Sequence, residues 1–147
     1  MNLKDLYRDV ILDHNRSPRN FGRLVPANAE AAGHNPLCGD KLNLTARLQG
    51  DRLEDLRFEG QGCAISTASA SLMTEVVKGR TRQEIAELYD EVHELLTDTS
   101  HAPKRDLGKL MALAGIAEFP ARVKCASLCW HTLNAALARE SAPVSTE

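Results

Sequence analysis

The stretch from Leu42 to Phe58 restricts the fold more than any other part of this chain. Leu42, Leu44, Ala46 and Leu48 alternate with Asn43, Thr45, Arg47 and Gln49, the period-two signature of a strand with one buried face. Gly50-Asp51 turns the chain, and Leu56 and Phe58 then alternate with Asp55, Arg57 and Glu59. The two runs predict an antiparallel hairpin, and Gly60-Gln61-Gly62 breaks its second strand.

Around the hairpin the periodicity changes to that of helices. Leu3, Leu6, Tyr7, Val10 and Ile11 form one amphipathic stripe, ending before Ser17-Pro18. The segment from Pro18 to Pro36 is rich in turn formers and holds one weak candidate strand near Glu30–His34. After Cys63, the residues Ile65, Ala68, Leu72, Met73 and Val76 mark a helix that Gly79 can end in a left-handed cap. Thr81-Arg82-Gln83-Glu84 fits a capping box, followed by Ile85, Leu88, Tyr89, Val92, Leu95 and Leu96 on one face. Thr97–Arg105 reads as a loop, and Leu107, Leu110, Met111 and Ala114 as a short helix stopped by Gly115. Phe119-Pro120 opens a last helix with Val123, Ala126, Trp130, Leu133 and Leu137 as its buried stripe. Residues 138–147 are expected to be a flexible tail of a single domain spanning 1–147.

A chain of 147 residues should bury about 68–70% of its unfolded surface, enough for a core without disulfide staples. The net charge of −2, with 18 Lys+Arg and 20 Asp+Glu interspersed, gives no electrostatic footprint for nucleic acid and no basic run for an anionic membrane. Apolar stretches fall short of the roughly 18–20 residues that cross a bilayer, and Met1-Asn2-Leu3-Lys4-Asp5 lacks a signal peptide's apolar core. A cytoplasmic location is expected.

In a reducing cytosol, Cys38, Cys63, Cys125 and Cys129 are candidates for metal or redox chemistry, with four packed core thiols as the plainer alternative. Cys38-Gly39-Asp40 holds a thiol and a carboxylate around a glycine that can turn both toward one point. Gly60-Gln61-Gly62-Cys63 places a thiol at a helix start, where the helix field favours thiolate. Cys125 follows Arg122 and Lys124 and falls outside the buried stripe of the last helix, whereas Cys129 flanks that stripe and reads as a core thiol. Three thiolates and a carboxylate would suit Zn²⁺, or iron with sulfide, rather than Mg²⁺ or Ca²⁺. Arg122 and Lys124 could offset part of the ligands' charge. The five histidines are scattered, with His131 the reserve ligand. The serines from Ser66 to Ser71 read as small residues on a closely packed helix.

Asp13-His14, Pro18-Arg19-Asn20-Phe21-Gly22, Asn35-Pro36-Leu37-Cys38-Gly39-Asp40, Gly60-Gln61-Gly62-Cys63-Ala64-Ile65-Ser66 and Arg122-Val123-Lys124-Cys125 together resemble the iron–sulfur cluster assembly proteins of the IscU and SufU type. The resemblance runs from about Leu3 to Leu137. It implies an α+β fold, a small antiparallel sheet of about three strands packed against several α-helices. It also implies that Cys38, Asp40, Cys63 and Cys125 converge on one metal, with one Zn²⁺ per chain or a transient [2Fe–2S] cluster as cofactor. Lys124 stands where IscU-type scaffolds carry His, and Phe119–Lys124 replaces their Leu-Pro-Pro-Val-Lys string. The long Arg82–Pro103 segment is similar to the insertion typical of SufU, which places the chain on that branch.

That resemblance implies a zinc-dependent acceptor of persulfide sulfur from a SufS-type cysteine desulfurase. Cys38 is the acceptor it implies, and downstream iron–sulfur assembly or recipient proteins are the further partners. A scaffold that assembles and transfers a [2Fe–2S] cluster, and a structural zinc-binding module, are the alternatives.

Overall fold

The computed structural model describes residues 3–36, 39–97, 107–138 and 144–145, with side chains described for 7–36, 39–97 and 107–138. Helix α1 (Leu3–Arg16) leads into strands β1 (Ala29–Asn35), β2 (Asp40–Gln49) and β3 (Arg52–Gln61). Helices α2 (Ala64–Val77) and α3 (Arg82–Thr97), a 3₁₀ segment (Gly108–Glu118), α4 (Pro120–Ala138) and the two-residue strand β4 (Val144–Ser145) complete the chain.

The sheet order is β3-β2-β1-β4. The first three strands are antiparallel neighbours, and β4 runs parallel to β1 beside Gly33 and His34. The predicted hairpin is therefore present, and the expected tail returns two residues to the sheet edge. The register stacks apolar residues across the sheet, with Leu44 opposite Ala31 on one side and Phe58 on the other. A bulge between Arg47 and Leu48 shifts the phase of β3, so that Leu53, Leu56 and Phe58 are all buried although their numbers do not share one parity. The second strand is not broken at Gly60 but continues to Gln61, opposite Lys41. That extension carries the hairpin to the threshold of Cys63.

Helix α4 packs on β1 and β2 and also against α2, α3 and the 3₁₀ segment. It is thus buried almost all round rather than along one stripe, with Cys125 to Trp130 continuously inside. This corrects the placing of Cys125 outside the buried stripe: β1 covers the flank of α4 that a single-sided helix would expose. Leu44, Leu56, Leu72, Leu113, Leu128 and Trp130 form part of one core, all at 2% exposure or less, and each such burial stabilises the fold by roughly 1.5–3 kcal/mol.

One helix start follows the sequence closely. At α3, Glu84 N–H donates to Thr81 Oγ1 (3.2 Å) and Thr81 N–H to Glu84 Oε1 (3.0 Å), the reciprocal capping box. The short helix expected to stop at Gly115 instead continues as a 3₁₀ segment to Glu118. The reason is a period of three: Leu107, Leu110, Leu113 and Ile116 are all buried, and a 3₁₀ helix, at three residues per turn, aligns them on one edge. Part of the expected Thr97–Arg105 loop lies outside the described residues.

Candidate metal centre

Three of the four sequence-predicted ligands meet where the sheet ends. Asp40 opens β2, Cys63 caps α2 and Cys125 lies in the second turn of α4. One ligand atom from each lies within 4.8 Å of the other two. Cys38 lies outside the described residues, two positions before Asp40.

Local structure explains each placement. Asp40 is paired with Asn35 at the last rung of the β1–β2 ladder. Gly39, at φ +72°, takes the left-handed turn that lets the chain enter β2 with the carboxylate directed inward. Asp40 Oδ1 accepts the backbone N–H of Cys63 at 3.0 Å, which ties the start of β2 to the start of α2. Gly62 makes that approach possible: a Cβ there would stand 2.5 Å from Asp40 Oδ1.

Cys63 occupies the N-cap, a position usually held by Ser, Thr, Asp or Asn, and its sulfur accepts from Ser66 N–H at 3.5 Å. Cys125 Sγ is directed back toward the Ala121 carbonyl at 3.7 Å and receives the Asn35 side-chain amide at 3.5 Å. The same Asn35 Nδ2 donates to Asp40 Oδ2 at 3.2 Å.

The electrostatics are those of an anion-rich pocket met by positive groups. Asp40 and Cys125 are buried and Cys63 is half-buried. The N-terminal turns of α2 and α4 both border the group, bringing the positive ends of two helix dipoles. The Arg122 guanidinium lies beside both sulfurs, and the charge of Cys63, then that of Cys125, pushes its pKa further up. Lys124 is half-buried next to Cys125.

This donor set fits a soft divalent ion. Sulfurs at about 2.3 Å from a tetrahedral zinc lie about 3.8 Å apart, so groups already within 4.8 Å need only a small contraction. Two thiolates and a carboxylate brought together inside a fold repel one another unless a cation joins them.

The remaining candidates sit elsewhere. Cys129 is 2% exposed, with its sulfur 3.4 Å from Ser69 Oγ. Burial pushes its thiol up to about 12. It is the core thiol the sequence predicts. His131 Nδ1 is bonded to Tyr89 Oη at 3.0 Å and does not join the Asp40–Cys63–Cys125 group. His14 is fully buried against Ser71 Oγ (2.7 Å), linking α1 to α2, and burial lowers its pKa. Ser69 and Ser71 are buried, as expected for a tightly packed helix.

Beside the centre opens a groove of about 910 Å³. Tyr7, Ile11, Ile65 and Phe119 line it together with Cys63 and Arg122. Phe119 is 60% exposed. Sequence reasoning missed two members of the site, Asn35 and Gly62. Both stand inside motifs that were visible, Asn35-Pro36-Leu37-Cys38-Gly39-Asp40 and Gly60-Gln61-Gly62-Cys63.

The family model for the NifU-like N-terminal domain matches residues 6–126, which include Asp40, Cys63 and Cys125. The chain belongs to the NifU-like N-terminal domain family. Within it, the chain is 42% identical over 139 residues to the zinc-dependent sulfurtransferase SufU of Bacillus subtilis, covering 95% of this chain and 94% of that one. It is 39% identical to the iron–sulfur cluster assembly scaffold protein IscU of Streptococcus pyogenes, covering 95% and 87% respectively. The fold superposes on the crystal structure of a Fervidobacterium islandicum protein described as an iron–sulfur cluster assembly scaffold for the SUF system. The TM-score is 0.82 at 31% identity, covering 92% of this chain and 99% of that one. The α+β fold expected from the sequence is that of this family. Among the described residues no helix is long and apolar enough to cross a membrane.

Proposed function

We propose that this protein acts in iron–sulfur cluster biogenesis as a zinc-dependent acceptor of persulfide sulfur from a SufS-type cysteine desulfurase. The observation that carries this reading is the convergence of Asp40, Cys63 and Cys125, with Cys63 also lining an open groove. A structural zinc site usually closes with Cys and His in a shielded position. Here a carboxylate stands among the thiols, and one thiol remains half-exposed.

Asp40, Cys63 and Cys125 are the residues that would hold the ion, with Cys38 as the fourth ligand and one zinc per chain. Zinc supplies a fixed positive charge that keeps its thiol ligands deprotonated near neutral pH. The sulfur-transfer step belongs to Cys38. Its thiolate attacks the outer sulfur of the desulfurase persulfide, a new S–S bond forms on Cys38, the old one breaks, and the desulfurase cysteine leaves as thiolate. Arg122, beside the sulfurs, offsets charge at the centre, and the groove offers apolar surface for the segment that presents the persulfide. The sulfur then passes to downstream iron–sulfur assembly proteins. A cytoplasmic setting, where thiols stay reduced, suits this chemistry.

The test combines metal analysis of the natively purified protein with a desulfurase assay. About one zinc per chain is expected, with faster sulfide release by the cognate desulfurase and no acceleration by Cys38→Ala. Full acceleration by Cys38→Ala overturns the proposal.

A second reading is favoured by the scaffold relative in Streptococcus pyogenes: the same thiolate and carboxylate set can bind iron with sulfide and hand on a [2Fe–2S] cluster. Anaerobic reconstitution followed by transfer to an apo-ferredoxin distinguishes it. Efficient transfer without any effect on the desulfurase supports the scaffold.

A further inference from the structure

We propose that Asn35 is a positioning residue for the metal centre, holding Asp40 and Cys125 in ligating geometry before the ion arrives. The inference rests on the metal-binding part of the reading above. It starts from a polar side chain that is fully buried and whose hydrogen bonding is one-sided. Nδ2 donates to Asp40 Oδ2 at 3.2 Å and to Cys125 Sγ at 3.5 Å, while Oδ1 has no partner among the described residues.

The orientation of the amide follows from chemistry. A carboxylate offers only acceptors, and a ligating thiolate likewise accepts, so neither could bond to the amide oxygen. The NH₂ group carries two hydrogens, one for each. Turning the amide over would place its oxygen against both acceptors. A buried carbonyl oxygen with no partner among the described residues is costly, and such a group in a folded protein calls for an explanation. Presenting both donors to the two ligands explains it.

The backbone makes Asn35 suited to this task. It is the last residue of β1, directly opposite Asp40 in the ladder, and Pro36 after it disfavours the helical region and holds Asn35 extended. Its side chain thus bridges the sheet to α4, joining ligands 85 residues apart in the chain (125 − 40). Asp40 then has one donor on each oxygen, Cys63 N–H on Oδ1 and Asn35 on Oδ2. Each oxygen keeps a lone pair for an ion. Asp40 and Cys125, the two residues that Asn35 ties together, would both hold the metal.

The test measures zinc affinity by chelator competition, and ligand geometry from the thiolate charge-transfer and d–d bands of the cobalt(II)-substituted protein, in wild type, Asn35→Leu and Asn35→Ser. Loss of an outer-shell partner typically lowers metal affinity about 10–100-fold. Asn35→Leu, alike in branching but without donors, should fall in that range with altered d–d bands. Asn35→Ser, which restores a single donor, should fall between it and wild type. Far-UV circular dichroism of the metal-free proteins separates misfolding from lost positioning; if Asn35→Leu does not fold, Asn35→Ser alone decides, with weaker binding and shifted bands expected. A folded variant with wild-type affinity and unchanged cobalt bands overturns the assignment of Asn35 while leaving the proposed function intact. A wild-type protein that binds neither ion overturns both.

Discussion

Cys125 and Cys129 stand one helical turn apart on α4, and both are buried, yet their surroundings assign them opposite chemistry. Around Cys125 are a carboxylate, a second thiol, a side-chain amide and a guanidinium. Cys129 has Ser69 beside it, and burial pushes its thiol up to about 12. Depth alone therefore does not decide whether a cysteine is inert. What decides is whether neighbouring elements bring charge and donors to the sulfur, and on α4 that changes within four residues because β1 ends and α2 begins beside Cys125.

The largest expected effect breaks this contrast directly. Cys125→Ser should weaken zinc binding by more than the about 100-fold that loss of an outer-shell partner can cost, because it removes a thiolate from the proposed ligand set. Cys129→Ser should leave zinc affinity unchanged and lower stability by about 1 kcal/mol, because the smaller hydroxyl packs less well than sulfur even with Ser69 Oγ and the Ala126 carbonyl beside it. Chelator competition and urea unfolding of the two variants check both halves. Equal zinc affinities would mean that the grouping of Asp40, Cys63 and Cys125 does not bind metal.

A smaller effect is expected from Gly62→Ala. Gly62 lies outside the left-handed region, so alanine costs little in the backbone, but its methyl would press on Asp40 Oδ1 and, at 3.1 Å, on Ser66 Oγ. The carboxylate must move off the Cys63 N–H, and zinc affinity should drop about 10–100-fold. Gly115→Ala has open space around it and should change affinity by no more than about twofold. Similar affinities for the two variants would show that Asp40 does not need its present position.

The same contrast marks how far the sequence could be read. The hairpin was legible because alternation from Leu42 to Phe58 reports directly on a half-buried sheet. The capping box at Thr81 and the proline start of α4 were legible because helix ends are local. β1 was only faint, since Ala29–Asn35 holds no β-branched or aromatic residue and forms because β2 lies beside it. The Leu107–Ile116 repeat was present, but Leu107, Leu110, Met111 and Ala114 can be fitted to a 3.6-residue period, which conceals the period of three. Cys125 was misplaced because a helical wheel assumes one buried face. Asn35 went unseen because an Asn before Pro reads as a turn former; its role depends on the Asn35–Asp40 register and on a helix that begins 85 residues later (120 − 35).

The subtlest prediction concerns Cys129 and alkaline pH. An ordinary cysteine thiol ionises near 9, whereas burial pushes this one up to about 12. Across that interval the native protein retains a proton that the unfolded chain has released. The unfolded state then binds fewer protons than the native state, so stability falls as pH rises, by about 1.4 kcal/mol per pH unit from this group. Below pH 9 both states keep the proton, and the slope vanishes. Every other group is common to wild type and Cys129→Ala, so subtracting the two stability curves isolates Cys129. At pH 7 the wild type should be more stable, by on the order of 1 kcal/mol, because alanine leaves a small cavity. That advantage should shrink above pH 9 and reverse near pH 10, as measured by urea unfolding of the zinc-free proteins. A difference that stays constant to pH 10.5 would mean that the Cys129 sulfur reaches solvent or charge in the native state, and the two thiols of α4 would no longer be opposites.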